Sequence, residues 1–243
     1  MRRAFAFLTI FGRDATPTTF TFAWFPLVGA VLGLAVGGVW WASSRIWPSL
    51  VAAVVAVVAD LALTGLLHFD GVADAGDGLL APLSRERRLA AMSDPAIGAF
   101  GLLSVVAVLA LRIGALEATR PSIIAISGLW CASRTLMVAI SLVLPYARSN
   151  GIVQAFLGSG STSSVTRRRG VLASSVFTGL LVAATLLFSA RSIRGVAALG
   201  AEVIGAGAVA ALSWRRLGGY TGDVLGASGV VAETLGLLVL AMR

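Results

Sequence analysis

Lysine is missing from this chain: its 19 cationic residues are all arginine. Histidine and cysteine occur once each, as His68 and Cys131. A lone cysteine inside an apolar run excludes an intrachain disulfide and a Cys-based zinc site, and a lone histidine excludes a multi-histidine metal centre. Charge is scarce as well. Charged residues make up 12% of the chain and hydrophobic residues 58%, with a mean hydropathy of +0.93. A soluble domain carries roughly twice that charged fraction, so the composition specifies a polytopic membrane protein. The net charge of +8 does not point to nucleic acid. The arginines sit in short clusters between apolar runs, which is the pattern of positive-inside topology signals rather than of a binding face.

A membrane-crossing helix needs about 20 largely apolar residues, and seven segments meet that length: 24–43, 49–69, 97–115, 121–144, 170–190, 195–214 and 224–242. The expected fold is therefore all-α, a bundle of about seven transmembrane helices forming one membrane-embedded domain over 1–243. No soluble domain, linker, low-complexity tail or internal repeat is evident. Gly29, Gly33 and Gly37, four residues apart, mark close helix–helix contact rather than chemistry. Arg2-Arg3 followed by an apolar stretch resembles the opening of a signal peptide, but the stretch is short and Gly12-Arg13-Asp14 is a poor cleavage site. It reads as a retained interfacial helix.

Counting arginines by loop sets the expected orientation. With the N-terminus inside, the cytoplasmic segments hold Arg2, Arg3, Arg13, Arg85, Arg87, Arg88, Arg148, Arg167, Arg168, Arg169, Arg215 and Arg216, twelve in all. The other side holds five: Arg45, Arg120, Arg191, Arg194 and Arg243. That bias favours N-in and C-out, and it puts every reactive-looking loop on the cytoplasmic side.

Against this apolar background one acidic concentration stands out: Asp70, Asp74 and Asp77, in His68-Phe69-Asp70-Gly71-Val72-Ala73-Asp74-Ala75-Gly76-Asp77-Gly78. On a helix the three carboxylates fall within an arc of roughly 60°. They repel one another unless a cation lies between them, and a hard divalent metal bridging to a phosphate meets that need. The second informative stretch is Gly218-Gly219-Tyr220-Thr221-Gly222-Asp223, with Glu233 ten residues on. Its glycines allow close approach to a phosphate. Asp223 reads either as a fourth metal ligand or as a helix cap, and Glu233 as the partner of a structural arginine. Arg134 and Arg148 suit bidentate contact with phosphate, although Arg134, within a span, pairs with either a buried carboxylate or an anionic substrate. Asp60 and Glu202 read as helix-locking partners of Arg112 or Arg134. Asp94, before Pro95, reads as a helix start or as a further contact at the same rim.

In order along the chain, Phe25-Pro26-Leu27-Val28-Gly29, the acidic run, Met92-Ser93-Asp94 with Ile97-Gly98, Tyr146-Ala147-Arg148 with Gly151, and Gly218 to Asp223 with Leu225-Gly226-Ala227 and Glu233 resemble the cobalamin synthase family, the adenosylcobinamide-GDP ribazoletransferases. The resemblance covers nearly the whole chain. Its departures are mild: Phe7-Leu8-Thr9-Ile10-Phe11-Gly12 loses the arginine usual in the opening motif, and Gly76 replaces a more typical small residue. The resemblance implies a Mg²⁺-dependent, multi-pass enzyme of the cell (inner) membrane, and the arginine bias puts its site on the cytoplasmic side. It would join adenosylcobinamide-GDP to α-ribazole or its 5′-phosphate with release of GMP. The residues expected to carry this are Asp74 and Asp77 as catalytic groups and Asp70, Asp74, Asp77 and Asp223 as metal ligands. Arg134, Arg148, Asn150, Thr221 and Asp94 are expected to bind substrate. The partners implied are the two substrates and the bilayer, without nucleic acid, and a homo-oligomer or association with other cobalamin-pathway enzymes is left open.

Two other readings compete. A CDP-alcohol phosphotransferase expects Ala-Arg after the second Asp, and an aspartate-rich prenyltransferase expects a second carboxylate cluster where this chain has Asp223 alone. An ion-coupled transporter would use Asp60, Glu202 and Glu233 as a path across the membrane.

Overall fold

The computed structural model describes residues 1–10, 19–148 and 162–242, which form a helical bundle with no strand among them. A short helix, α1 (Arg2–Leu8), and a single turn, α2 (Thr19–Phe22), precede α3 (Phe25–Ser43) and α4 (Ser49–Thr64). Next comes α5 (Leu67–Ala75), which runs into a π-helical turn over Gly76–Leu80, then α6 (Arg85–Ala91) and α7 (Ala99–Ala118). The chain finishes with α8 (Ile123–Val143), α9 (Thr162–Leu217) and α10 (Gly222–Ala241).

Among the described residues five helical units are long and apolar enough to cross a membrane, six if α4 and the bent segment after it count as one. The expected segments fall on those six, because 170–190 and 195–214 share α9. The apolar part of α9, Val165–Leu217, has 53 residues. Straight, it would be about 80 Å long at 1.5 Å per residue, against a hydrocarbon core of about 30 Å. Ser192 breaks it, with φ 49° and ψ −130°. Beyond the break the chain returns on itself, so that a Cβ on Gly195 would lie 2.0 Å from the Leu187 carbonyl oxygen. The second expected segment, 49–69, is not one straight span. Gly65 and Leu66 both adopt positive φ (59° and 61°), and the acidic helix leaves α4 at 94°. A left-handed leucine costs roughly 1–2 kcal/mol, which the packing of α5 has to offset.

Burial separates the layers. Of the best apolar window in each helix, 83% is buried in α8 and 72% in α10, but only 22% in α7 and α9. α8 and α10 thus form the centre, and Leu103, Phe177 and Ile204 point outward from the periphery as a lipid-facing surface does. The glycine stripe of α3 meets α8 as its spacing predicts. Cβ atoms on Gly29, Gly33 and Gly37 would lie 2.3, 2.6 and 2.9 Å from the α8 backbone.

Opposite ends of the bundle gather different arginines. Arg85 donates to the carbonyls of Leu217 (2.8 Å) and Ala147 (3.2 Å), which joins three inter-helix connections at one end. At the other, Arg191 donates to the Arg120 carbonyl, and Arg194 to that of Met242 at 3.0 Å.

The centre holds a charged cluster. Arg112 pairs with Asp60 at 2.8 Å and with Glu233, and Arg134 pairs with Glu233. Ser133 donates to Glu233 at 2.7 Å, and the Trp130 indole N–H to Asp60 at 2.9 Å. Two expectations change here. Arg134, expected to bind substrate, is 1% exposed and is held by Glu233. Glu202, expected to pair with an arginine, is fully buried and lies in the field of Arg134 and Arg112, but neither of its oxygens has a hydrogen-bond partner among the described residues. Asp60 and Glu233 have the arginine partners expected of them.

Candidate active site

Two glycines bring the separated motifs together. α5 crosses the start of α10 so closely that a Cβ on Gly71 would lie 2.7 Å from the Asp223 carbonyl oxygen. One on Gly226 would lie 3.3 Å from the His68 Cα. A side chain at 71 would push these backbones apart and one at 226 would crowd them, and the close approach puts Asp70 and Asp223 on the wall of one cavity of about 350 Å³. Leu225 and Gly226 line it from α10, and Phe25 and Met137 from the neighbouring helices.

A third motif arrives through a short parallel bridge. The Tyr220 N–H donates to the Pro145 carbonyl and the Ala147 N–H to the Tyr220 carbonyl, both at 2.9 Å. The two tyrosine rings meet edge to face at 5.5 Å. The bridge sets Arg148 beside the cavity, where one Nη donates to Asp223 at 3.2 Å and to the Met92 carbonyl at 3.1 Å. The Nε of Arg148 has no partner among the described residues, so this guanidinium keeps donors for an incoming anion. Burial raises the Tyr220 phenol to about 12 and lifts that of Tyr146 as well. Both stay protonated at neutral pH.

The acidic residues divide in their roles. Asp70 and Asp223 line the cavity, and half-buried Asp74 faces the charges of Asp223, Asp70, Arg148 and Asp77. Asp77 departs from expectation. The α-helix ends at Ala75, and the π turn swings Asp77 away from the shared face toward α7. There its two oxygens accept the backbone N–H groups of Gly98 (2.7 Å) and Gly101 (2.9 Å). Asp77 thus holds the start of α7 on the acidic helix.

Two expected substrate contacts have local structural tasks instead. Thr221, fully buried, caps α10 by accepting from the Val224 N–H at 3.2 Å. It does the capping considered for Asp223 and leaves that carboxylate to the cavity. Asp94 is exposed and closes a turn by accepting from the Ala96 N–H at 2.9 Å. Asn150 lies outside the described residues.

Among the described residues no three His, Cys, Asp or Glu side chains converge as a ready-made metal shell. The donor chemistry nonetheless suits a hard divalent cation. Asp70, Asp74 and Asp223 face one another with a single arginine, Arg148, to offset them, and oxygen ligands with surplus negative charge select Mg²⁺-like ions. One supporting residue escaped the sequence reading. Arg88 is 3% exposed and donates to the carbonyls of Gly78 (2.7 Å) and Leu79 (3.0 Å), which pins the π turn. Its place in a surface-like Arg-Glu-Arg-Arg run gave no sign of burial.

A family model described as cobalamin-5-phosphate synthase matches residues 1–241. The chain is 36% identical to an adenosylcobinamide-GDP ribazoletransferase of Syntrophobacter fumaroxidans, over 96% of this chain and 94% of that protein. It is 34% identical to proteins of the same name from Chlorobium phaeovibrioides (93% of this chain, 90% of that one) and Chlorobaculum tepidum (99% and 92%). No solved structure matches it.

Proposed function

The chain belongs to the cobalamin-5-phosphate synthase family, and we propose that the cavity between α5 and α10 is where it carries out nucleotide-loop assembly. The enzyme is an adenosylcobinamide-GDP ribazoletransferase. A hydroxyl of α-ribazole or its 5′-phosphate attacks the phosphorus attached to cobinamide. The bond to GMP breaks, the hydroxyl proton leaves, and the new phosphodiester closes the nucleotide loop. The observation that carries the assignment of the site is the meeting of Asp70, Asp223 and Arg148, from three distant stretches of sequence, on the wall of one cavity, with Asp74 close enough to feel all three charges.

In this reading Asp70, Asp74 and Asp223 would hold Mg²⁺, and the ion would supply positive charge to offset that on the pyrophosphate and the departing GMP. Arg148 binds a phosphate oxygen through the donors that Asp223 and Met92 leave free. Asp77 and Arg88 act at one remove, fixing the π turn and α7 so that the acidic face keeps its shape. The transporter reading loses two of its three carboxylates, because Asp60 and Glu233 are engaged in buried ion pairs.

The direct test is conversion. Purified protein in detergent with Mg²⁺ is expected to release GMP from adenosylcobinamide-GDP only when α-ribazole or its phosphate is added, and a chelator is expected to stop the reaction. GMP release that ignores the acceptor would defeat the assignment, and undiminished turnover after chelation would defeat the metal. Arg148→Ala should weaken adenosylcobinamide-GDP binding by about ten- to a hundredfold, since a charge-assisted hydrogen bond contributes roughly 1.5–3 kcal/mol. Equilibrium binding measures this, and unchanged affinity would make Arg148 purely structural.

The site faces the cytoplasm in this reading, with Arg85 and Arg215 on that side and Arg45 and Arg191 on the other, supported by the positive-inside bias. A cysteine at exposed position 215 is expected to react with an impermeant maleimide only after the cells are opened. The native Cys131 is buried and gives little background. Labelling of intact cells would invert the topology.

A further inference from the structure

One wall of the cavity has no task in the reading above. Phe7, Phe22, Phe25, Leu67 and Met137 make it apolar. Phe22 and Phe25 stack with ring centroids 4.7 Å apart, and Phe7 extends the stack at 6.0 Å from Phe25. The polar side chain in this wall is His68. It is 4% exposed, and neither of its ring nitrogens has a hydrogen-bond partner among the described residues. Burying an unpaired imidazole is destabilising, and here it sits beside a cavity that can supply the missing partner.

We infer that this aromatic wall seats the planar base of the ribazole acceptor, and that His68 hydrogen-bonds the one free ring nitrogen of that base. The inference rests on the reaction assigned above and adds the location and recognition of one substrate. Three chemical classes compete for the wall: guanine, the corrinoid ring and the benzimidazole of ribazole. Guanine carries donors and acceptors around most of its edge, and a wall of phenylalanine, leucine and methionine would leave them unpaired. The corrinoid macrocycle is excluded by size, since about 350 Å³ is at the low end for ligand pockets. The dimethylbenzimidazole of ribazole is flat and methylated, and its single free nitrogen offers only a lone pair. It matches stacked aromatic rings with one polar group among them. A neutral imidazole donates through one ring nitrogen, so His68 is the donor and the base nitrogen the acceptor. With the base held there, the attached ribose extends toward the rim of Asp70, Asp223 and Arg148, where the phosphorus is to be attacked.

Kinetics with both substrates varied tests this. His68→Leu is expected to raise KM for α-ribazole by roughly tenfold or more while KM for adenosylcobinamide-GDP stays within about twofold, because a site built to pair a polar group discriminates strongly when that pair is lost. The wild-type protein is also offered the nucleoside in which a C–H replaces the free ring nitrogen, the α-riboside of dimethylindole. It should use this compound roughly tenfold less well than α-ribazole in kcat/KM, and His68→Leu should lose that preference. If His68→Leu does not fold, the wild-type comparison still decides: equal use of the two nucleosides overturns the inference. A rise confined to KM for adenosylcobinamide-GDP overturns it too and gives the wall to guanine. Wild-type protein that transfers to neither nucleoside overturns the underlying reaction, an outcome distinct from failure of the subsite.

Discussion

Asp74→Asn is expected to abolish turnover and leave the protein folded. Asp74 is the best placed of the acidic residues to show function apart from stability. Its carboxylate makes no hydrogen bond or ion pair among the described residues, whereas Asp77 holds the start of α7 and Asp223 holds Arg148. Asparagine keeps the shape and removes the charge. It also relieves repulsion from Asp223, Asp70 and Asp77, so thermal unfolding in detergent should occur at the same temperature or slightly higher. The rate should fall by roughly 10²–10³ or more, the scale of losing one electrostatic element aimed at developing charge. Initial rates at saturating substrate, read beside the unfolding curve, check both halves. A variant with near-normal rate would remove Asp74 from the metal site, and one that is inactive because it is unfolded would make it a structural residue.

The parts of this design that were legible in the sequence are those that physics writes into short windows. Lipid requires about 20 apolar residues in a row, so the segments could be placed to within a few residues, and even the Ser192 break showed as a gap between two runs. Asp70 and Asp74, one turn apart on α5, kept the helical relation their spacing implied. What stayed hidden depends on backbone events with no periodic signature. The 94° bend at Gly65–Leu66 lies within a segment apolar enough to read as one span, and the π turn that redirects Asp77 has no mark in the residue pattern. Thr221 and Asp223 are both good capping residues two positions apart, and only the fold decides that threonine caps while aspartate faces the cavity. The partner of Arg134 was undecidable for a similar reason: several buried carboxylates were available, and their depths along different helices fix which one meets it.

The second large effect lies in that choice of partner. Arg112→Ala should unfold the protein in mild detergent at a markedly lower temperature, while Arg134→Ala should lower stability and leave substrate KM unchanged in the molecules that stay folded. Arg112 joins both carboxylates of the cluster, pairing with Asp60 at 2.8 Å and with Glu233, and its Nε donates to Thr234 at 3.2 Å. It also lies over the rings of Phe69 and Trp130, with 5.3 and 5.1 Å to their centroids. Removing it leaves Asp60 hydrogen-bonded to the Trp130 indole and Glu233 to Arg134 and Ser133, with both carboxylates buried. Breaking a buried pair by deleting one partner costs roughly 3–5 kcal/mol, a large fraction of the stability of a domain. Phe69 stands next to Asp70 on α5, so the same cluster anchors the acidic helix, and loss of Arg112 should reach the active site through it. Arg134 is 1% exposed and donates to Glu233 and to Ser133, and its loss should be felt in folding rather than in substrate affinity. A thermal midpoint for Arg112→Ala equal to the wild type would deny the cluster its stabilising role. A KM for adenosylcobinamide-GDP that rises tenfold or so in folded Arg134→Ala would bring that arginine back to the substrate.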